Sequence, residues 1–148
     1  MPGRPLLGFG GALLLGLVSL SACGRQVDVA PPESPAAICG SLPLPETVAG
    51  AARRPTSGGD GTGAWGEPPI TLRCGVARPV ALTATSQLLV VDGVGWLPIE
   101  GSGGAAFVAV DWPTSTEPTY VEVIVPAAYA PGEVLADITP ALTPTPTG

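Results

Sequence analysis

Cys23, Cys39 and Cys74 are the only thiols in this chain, and histidine and lysine are both absent. Together these facts remove most catalytic chemistry. Without an imidazole, the side chain best suited to general-base work near neutral pH is missing. Neither a Ser-His-Asp nor a Cys-His arrangement can be assembled. No Cys-x-x-Cys occurs, and no histidine is available to complete a zinc set. The run "GGDGTG" (58–63) lacks the lysine and the strand–helix setting of a phosphate-cradling loop. Its single carboxylate, Asp60, is too little for calcium. Paired carboxylates remain as a potential acid and base for glycoside cleavage, with Asp92, Glu100, Asp111 and Glu122 as candidates. Asp92, however, belongs to a turn, and Glu122 has a natural ion-pair partner in Arg73. The residues therefore point away from an enzyme and toward a protein that uses no cofactor and no metal. All six cations are arginine, against twelve carboxylates, for a net charge of −6. An acidic chain without a basic stripe is unsuited to nucleic acid.

The first thiol has a distinctive setting. Leu6 to Leu20 is apolar apart from its glycines and Ser19; Arg4 precedes the run, and the small residues Ser21 and Ala22 follow it. This is the three-part layout of a secretory signal peptide. The run is shorter than the roughly 20 apolar residues of a spanning helix, and Gly8, Gly10, Gly11 and Gly16 weaken it further as a helix. The tetrad Leu20-Ser21-Ala22-Cys23 resembles the lipobox of bacterial lipoproteins. The resemblance implies a diacylglyceryl group on the Cys23 sulfur and cleavage between Ala22 and Cys23. Two acyl chains hold a protein stably on a bilayer where one does not. On this reading residues 1–22 are a lipoprotein signal peptide and residues 23–37, rich in proline, are a lipidated tether. At about 3 Å per residue such a tether would reach on the order of 40 Å. The protein is then expected on the extracytoplasmic face of the cell membrane, held by its lipid at Cys23.

In that oxidising compartment the remaining pair, Cys39 and Cys74, reads as a disulfide. In "PITLRCGV" (69–76) alternate residues Ile70, Leu72, Cys74 and Val76 share one face, as on a half-buried strand. Cys39 lies in "SPAAICGSL", where Ser34 could cap a helix and Pro35 could occupy its first turn. A helix laid on that strand would bring the two sulfurs together.

The rest of the chain supplies the elements that hold these residues. A short helical turn is expected from Pro45 to Ala49, with Gly50 as its stop, and "TSGGDGTG" (56–63) reads as a flexible loop. Asp92-Gly93, between apolar runs, predicts a two-residue hairpin turn. Pro98 marks its second arm as an edge or bulged strand. "AAFVAVDW" (105–112) and "TYVEVIVP" (119–126) read as strands, the latter with Val121, Val123 and Val125 on one face. "PGEVLADITPAL" (131–142) has the Pro131 start, the early Glu133 and the spacing of an amphipathic helix. The expected fold is α+β: a small antiparallel sheet of four to five strands with two helices packed on one face. One domain spans residues 38–142, between a disordered N-terminal tether and a disordered Thr/Pro tail at 143–148.

Cys39, Leu44-Pro45 through Val48 and Gly50, Arg53-Arg54, "AWGEPPITLRCGV" (64–76), "VDGVGW" (91–96) and "YVEVIVP" (120–126) occur in an order that resembles the domain of unknown function 3515 family. That family comprises small secreted or lipid-anchored proteins of high-GC Gram-positive bacteria. The resemblance covers roughly residues 38–142 and implies an envelope lipoprotein with a cysteine pair, without an assigned activity. Pro43, an extra proline ahead of the Leu-Pro pair, departs from the pattern.

The candidate binding surface is Trp65, Trp96, Arg53 and Arg54. The tryptophans serve either as core packing or as an exposed aromatic patch for a glycan, a peptide or another envelope protein. The arginines are either solvated or meet anionic headgroups or an acidic partner. The sequence thus predicts a non-enzymatic binding or accessory module of the cell envelope. The alternative is a small-ligand carrier, with a pocket between sheet and helices lined by Trp65 or Trp96.

Overall fold

The computed structural model describes residues 2–5, 8, 24–101, 103–113 and 117–143. Most of the apolar leader, Cys23 and residues 144–148 of the expected tail lie outside these. Among the described residues no helix is long and apolar enough to cross a membrane.

Among the described residues the fold is an eight-stranded antiparallel sheet with one α-helix. Strands β1 (Thr47–Val48), β2 (Ala51–Arg54), β3 (Thr62–Trp65) and β4 (Ile70–Val76) form one meander. Strands β5 (Leu89–Val91), β6 (Val94–Gly101), β7 (Gly104–Asp111) and β8 (Tyr120–Pro126) form a second. Pairing of β4 with β8 joins them, giving the order β1-β2-β3-β4-β8-β7-β6-β5. Helix α1 (Pro131–Leu142) packs against both edge strands, β1 and β5. The sheet therefore curls, and the helix closes the seam between its edges.

The core lies between the inner face and α1. Ile70, Leu72 and Cys74 of β4, Val121, Val123 and Val125 of β8, and Val134, Leu135, Ile138 and Leu142 of α1 are all buried. Period-two and helical patterning produce these faces directly. The Asp92-Gly93 turn forms as the sequence predicts, with φ of 43° and 85°. Pro98 lies where β6 has outrun β5, whose pairing ends at Trp96, so its missing donor breaks no ladder on that side.

The expectation of four to five strands and two helices is overturned. Residues 34–42 make only a single 3-10 turn, Ala37–Ser41. Ser34 does not cap it; its N–H donates instead to the Gly75 carbonyl at 2.7 Å. Pro35, Gly40 and Pro43 leave too few good helix formers to nucleate a longer helix. The expected helical turn at Pro45–Ala49 is the first arm of a hairpin. Its turn residues, Ala49 and Gly50, both have positive φ, 47° and 74°, which is the two-residue hairpin geometry. Thr62 and Gly63, read as loop, begin β3.

The disordered tether is overturned as well. Val27 and Val29 are buried against Ala64 on the outer face of the sheet, forming a small second core. The Val27 N–H donates to the Pro55 carbonyl at 2.8 Å, and the Ser57 N–H donates to the Val27 carbonyl at 3.0 Å. Residues 25–34 are thus a strap fastened over β3 and β4, and the reach of a free tether is not available to it.

Ala49 pays for its left-handed backbone, a conformation that costs a non-glycine residue about 1–2 kcal/mol, but its N–H donates to Asp137 Oδ2 of α1 at 2.8 Å. Two outcomes are expected in urea unfolding. Ala49→Gly should stabilise the fold by up to about 1 kcal/mol. Asp137→Ala, which removes that acceptor and frees the hairpin from α1, should destabilise it by about 1 kcal/mol.

Candidate functional site

The Cys39–Cys74 disulfide forms, linking the 3-10 turn to β4 across 35 residues of sequence. Closing such a loop stabilises a fold by about 3–4 kcal/mol in the chain-entropy treatment. Both cysteines are buried. The Cys74 N–H donates to the Gly61 carbonyl at 2.7 Å, so the 56–63 loop is tied to the crosslink rather than free. Immediately after Cys74 the β4–β8 register shifts at Gly75, whose φ is 92°. A Cβ there would lie 2.6 Å from the Ser34 carbonyl oxygen, so only glycine lets the strap approach this closely.

Arg53 and Arg54 stand on β2, on opposite faces of the strand. Arg54 turns outward and fastens the strap. Its guanidinium donates to the Gly66 carbonyl at 2.7 Å, to Glu67 Oε2 at 2.9 Å and to the Arg25 carbonyl at 2.9 Å. Arg53 turns toward a groove of about 460 Å³. Its guanidinium donates to the Leu44 carbonyl at 3.4 Å and lies 3.9 Å from Glu46. The Glu46 side chain is 89% exposed, so that ion pair is weak and leaves Arg53 available. Leu42, Leu44, Thr56, Asp60 and Gly61 complete the groove, beside Cys39. A polar-rimmed hollow with an available guanidinium, and with the carboxylates of Glu46 and Asp60 in its lining, can hold a polar ligand.

Trp65 and Trp96, placed by the sequence reading on the candidate surface, are fully buried. Trp65 Nε1–H donates to the Pro45 carbonyl at 2.8 Å, and Trp96 Nε1–H donates to Thr139 Oγ1 of α1 at 3.3 Å. Each indole therefore has its polar atom satisfied inside the core, and neither belongs to an aromatic patch. The space between sheet and helix, where a carrier would keep its pocket, is filled by these rings together with Val134, Leu135 and Ile138. Of the carboxylates considered for catalysis, Glu122 accepts from Arg73 Nε at 3.0 Å, and Asp92 occupies its hairpin turn.

A model of the family described as "Protein of unknown function (DUF3515)" matches residues 17–146. The chain belongs to this family. No curated protein and no solved structure matches it. In this DUF3515 member the "AWGEPPITLRCGV" motif is the β3–β4 hairpin that carries Cys74 and receives Arg54. "VDGVGW" is the β5–β6 turn, and "YVEVIVP" is β8.

One feature escaped the motif reading although the sequence contains it. All five arginines beyond Arg4 fall between Arg25 and Arg78, where five carboxylates balance them; from Pro79 onward there are seven carboxylates and no cation. The division coincides with the two meanders. Residues 25–78, the strap with β1–β4, have no net side-chain charge, whereas residues 79–148, which form β5–β8 and α1, have seven carboxylates and no cation.

The strap is the local element most open to test. Glu33 sits at its far end, and the Arg73 guanidinium donates to Glu33 Oε1 at 3.3 Å. A hydrogen bond from its own backbone, then the charge of Arg73 and the Ala77 backbone, hold the Glu33 carboxyl below its ordinary value. A depressed carboxylate contributes stability above its unfolded pKa and loses it as pH falls through the folded value. Protection of the Ser34 amide against hydrogen exchange should therefore fall on acidification below the ordinary glutamate range, and Glu33→Gln should abolish that pH dependence. At the other end, Arg54→Ala should accelerate exchange at the Val27 and Ser57 amides by roughly ten- to hundredfold, for charge-assisted bonds worth roughly 1.5–3 kcal/mol. Amides of α1 should be unchanged.

Proposed function

We propose that this protein is a lipid-anchored, extracytoplasmic bacterial envelope protein, and that its domain is a non-enzymatic binding or accessory module. The observation that carries the compartment is the buried Cys39–Cys74 disulfide. Such bonds persist outside the reducing cytoplasm, and this one leaves Cys23 as the one cysteine not joined in it. A lone thiol behind an apolar leader and the small residues Ser21 and Ala22 is the substrate a lipid-transferring enzyme of the membrane requires. The groove beside the crosslink supports the binding role, with Arg53 available at its rim.

The anchor is tested in a bacterium that lipidates its own envelope proteins. The wild-type chain should partition into the membrane fraction, and intact mass should show a chain beginning at Cys23 and carrying diacylglycerol. Cys23→Ala should carry no lipid, and any cleaved form should appear in the soluble fraction. A cleaved Cys23→Ala chain that stays with the membrane would refute the anchor.

A further inference from the structure

The strap decides where a bilayer would meet the domain. Arg54 holds the Arg25 carbonyl at 2.9 Å, and Val27 is bonded to both Pro55 and Ser57. A lipid on Cys23 would therefore enter the membrane two residues from a fixed point at the end of β2, with little chain to swing on. The same point lies on the β1–β4 wall; with its strap and the Ala77–Pro79 exit from β4, this half of the chain has every arginine from Arg25 onward, while the residues that form β5–β8 and α1 have seven carboxylates and no cation.

We propose that the β1–β4 wall is the surface that lies against an anionic phospholipid bilayer, with the acidic β5–β8 wall turned to the aqueous side. This rests on the Cys23 anchor proposed above. The attraction of an anionic surface decays over a Debye length of about 8 Å at physiological salt. Two inter-strand spacings, about 10 Å, already exceed it. With the neutral wall down, Asp92, Glu100 and Asp111 of the second meander stand outside the repulsive field, and with the molecule turned over they enter it; Glu122 and Asp137 sit where the walls join, bonded to Arg73 and to the Ala49 N–H. The difference between walls, rather than a basic patch, sets the orientation, because Glu46 and Glu67 accompany Arg53 and Arg54. Arg54 and Arg73 are engaged in holding the strap. Arg25 and Arg53 are exposed beside the anchor point, and their guanidinium forks suit lipid phosphates.

The sheet, the helix, the disulfide and both cores lie within residues 24–143, so the chain from Cys23 to Gly148 serves as the test molecule. Its one free thiol is Cys23, which can be coupled to a maleimide-headgroup lipid in phosphatidylcholine vesicles with or without one third phosphatidylglycerol. A fluorescent unnatural residue replaces either Ala52, exposed on β2, or Val90, which is 73% exposed on β5. A headgroup-bound quencher then reports which wall faces the lipid. On anionic vesicles the probe at position 52 should be quenched severalfold more than the probe at 90. The ratio should fall toward one in high salt and in the Arg25→Glu, Arg53→Glu double variant, provided its near-ultraviolet circular dichroism matches the parent. Equal quenching at the two positions on anionic vesicles, or stronger quenching at 90, would overturn the orientation. Because the anchor is supplied chemically, that outcome is separate from the cellular one. A Cys23 that carries no lipid in cells would sink the anchor whatever the vesicle ratio.

Discussion

The Cys39–Cys74 bond is the constraint on which the remaining features rest. β4 is one of the two strands at which the meanders meet, and among the described residues the segment 24–46 has one 3-10 turn and a single isolated bridge as its regular structure. A five-residue turn with prolines on both sides does not hold its position by backbone bonding alone. Joined covalently to β4, it becomes a fixed wall. The 56–63 loop then bonds to Cys74, the groove forms between loop and turn, and the strap gains a firm end at Gly75.

What the sequence revealed, and what it hid, follows from how each strand is covered. β4 and β8 face the core on one side and a thinner cover on the other, so Ile70, Leu72 and Cys74, and Val121, Val123 and Val125, alternate cleanly with more exposed neighbours. The Asp92-Gly93 turn and α1 carry their own local chemistry and were legible with it. β3 is different: all four of its residues are buried, because the core covers one face and Val27 and Val29 cover the other. Burial on both faces erases the alternation by which a strand is recognised. β1 and β2 failed for another reason. β1 is only two residues, Thr47 and Val48, and β2 is alanine and arginine, which have little strand preference; the turn between the two strands is bonded to Asp137, 88 residues away. No local window contains that contact. Val27 and Val29 do show a spacing of two, but the surrounding prolines make that stretch read as linker. Of the candidate site, the cysteine pairing was legible. The inward direction of Trp65 and Trp96 was not, since a buried indole and a displayed one look alike in sequence.

The exclusive use of arginine fits the same picture. One Arg54 side chain bonds two carbonyls and a carboxylate from two separate segments, the strap and the β3–β4 turn. A lysine ammonium, lacking the planar fork, would not satisfy that set with comparable order. Arg73 likewise reaches both Glu122 on the sheet and Glu33 on the strap. Cations concentrated in such clamps leave the second meander without any, and its charge follows from that allocation.

The crosslink also determines how the domain would carry a mechanical load applied at its N-terminus. Tension entering at Gly24 would first peel the strap, one hydrogen bond after another, from Arg25 to Ser34. At Cys39 it would cross the sulfur bridge directly to Cys74 and pass into β4. Residues 40–73, which include β1, β2 and β3, lie on the slack side of that shortcut. A pull on the anchored end would lengthen the molecule by releasing the strap while the first three strands stay out of the line of force.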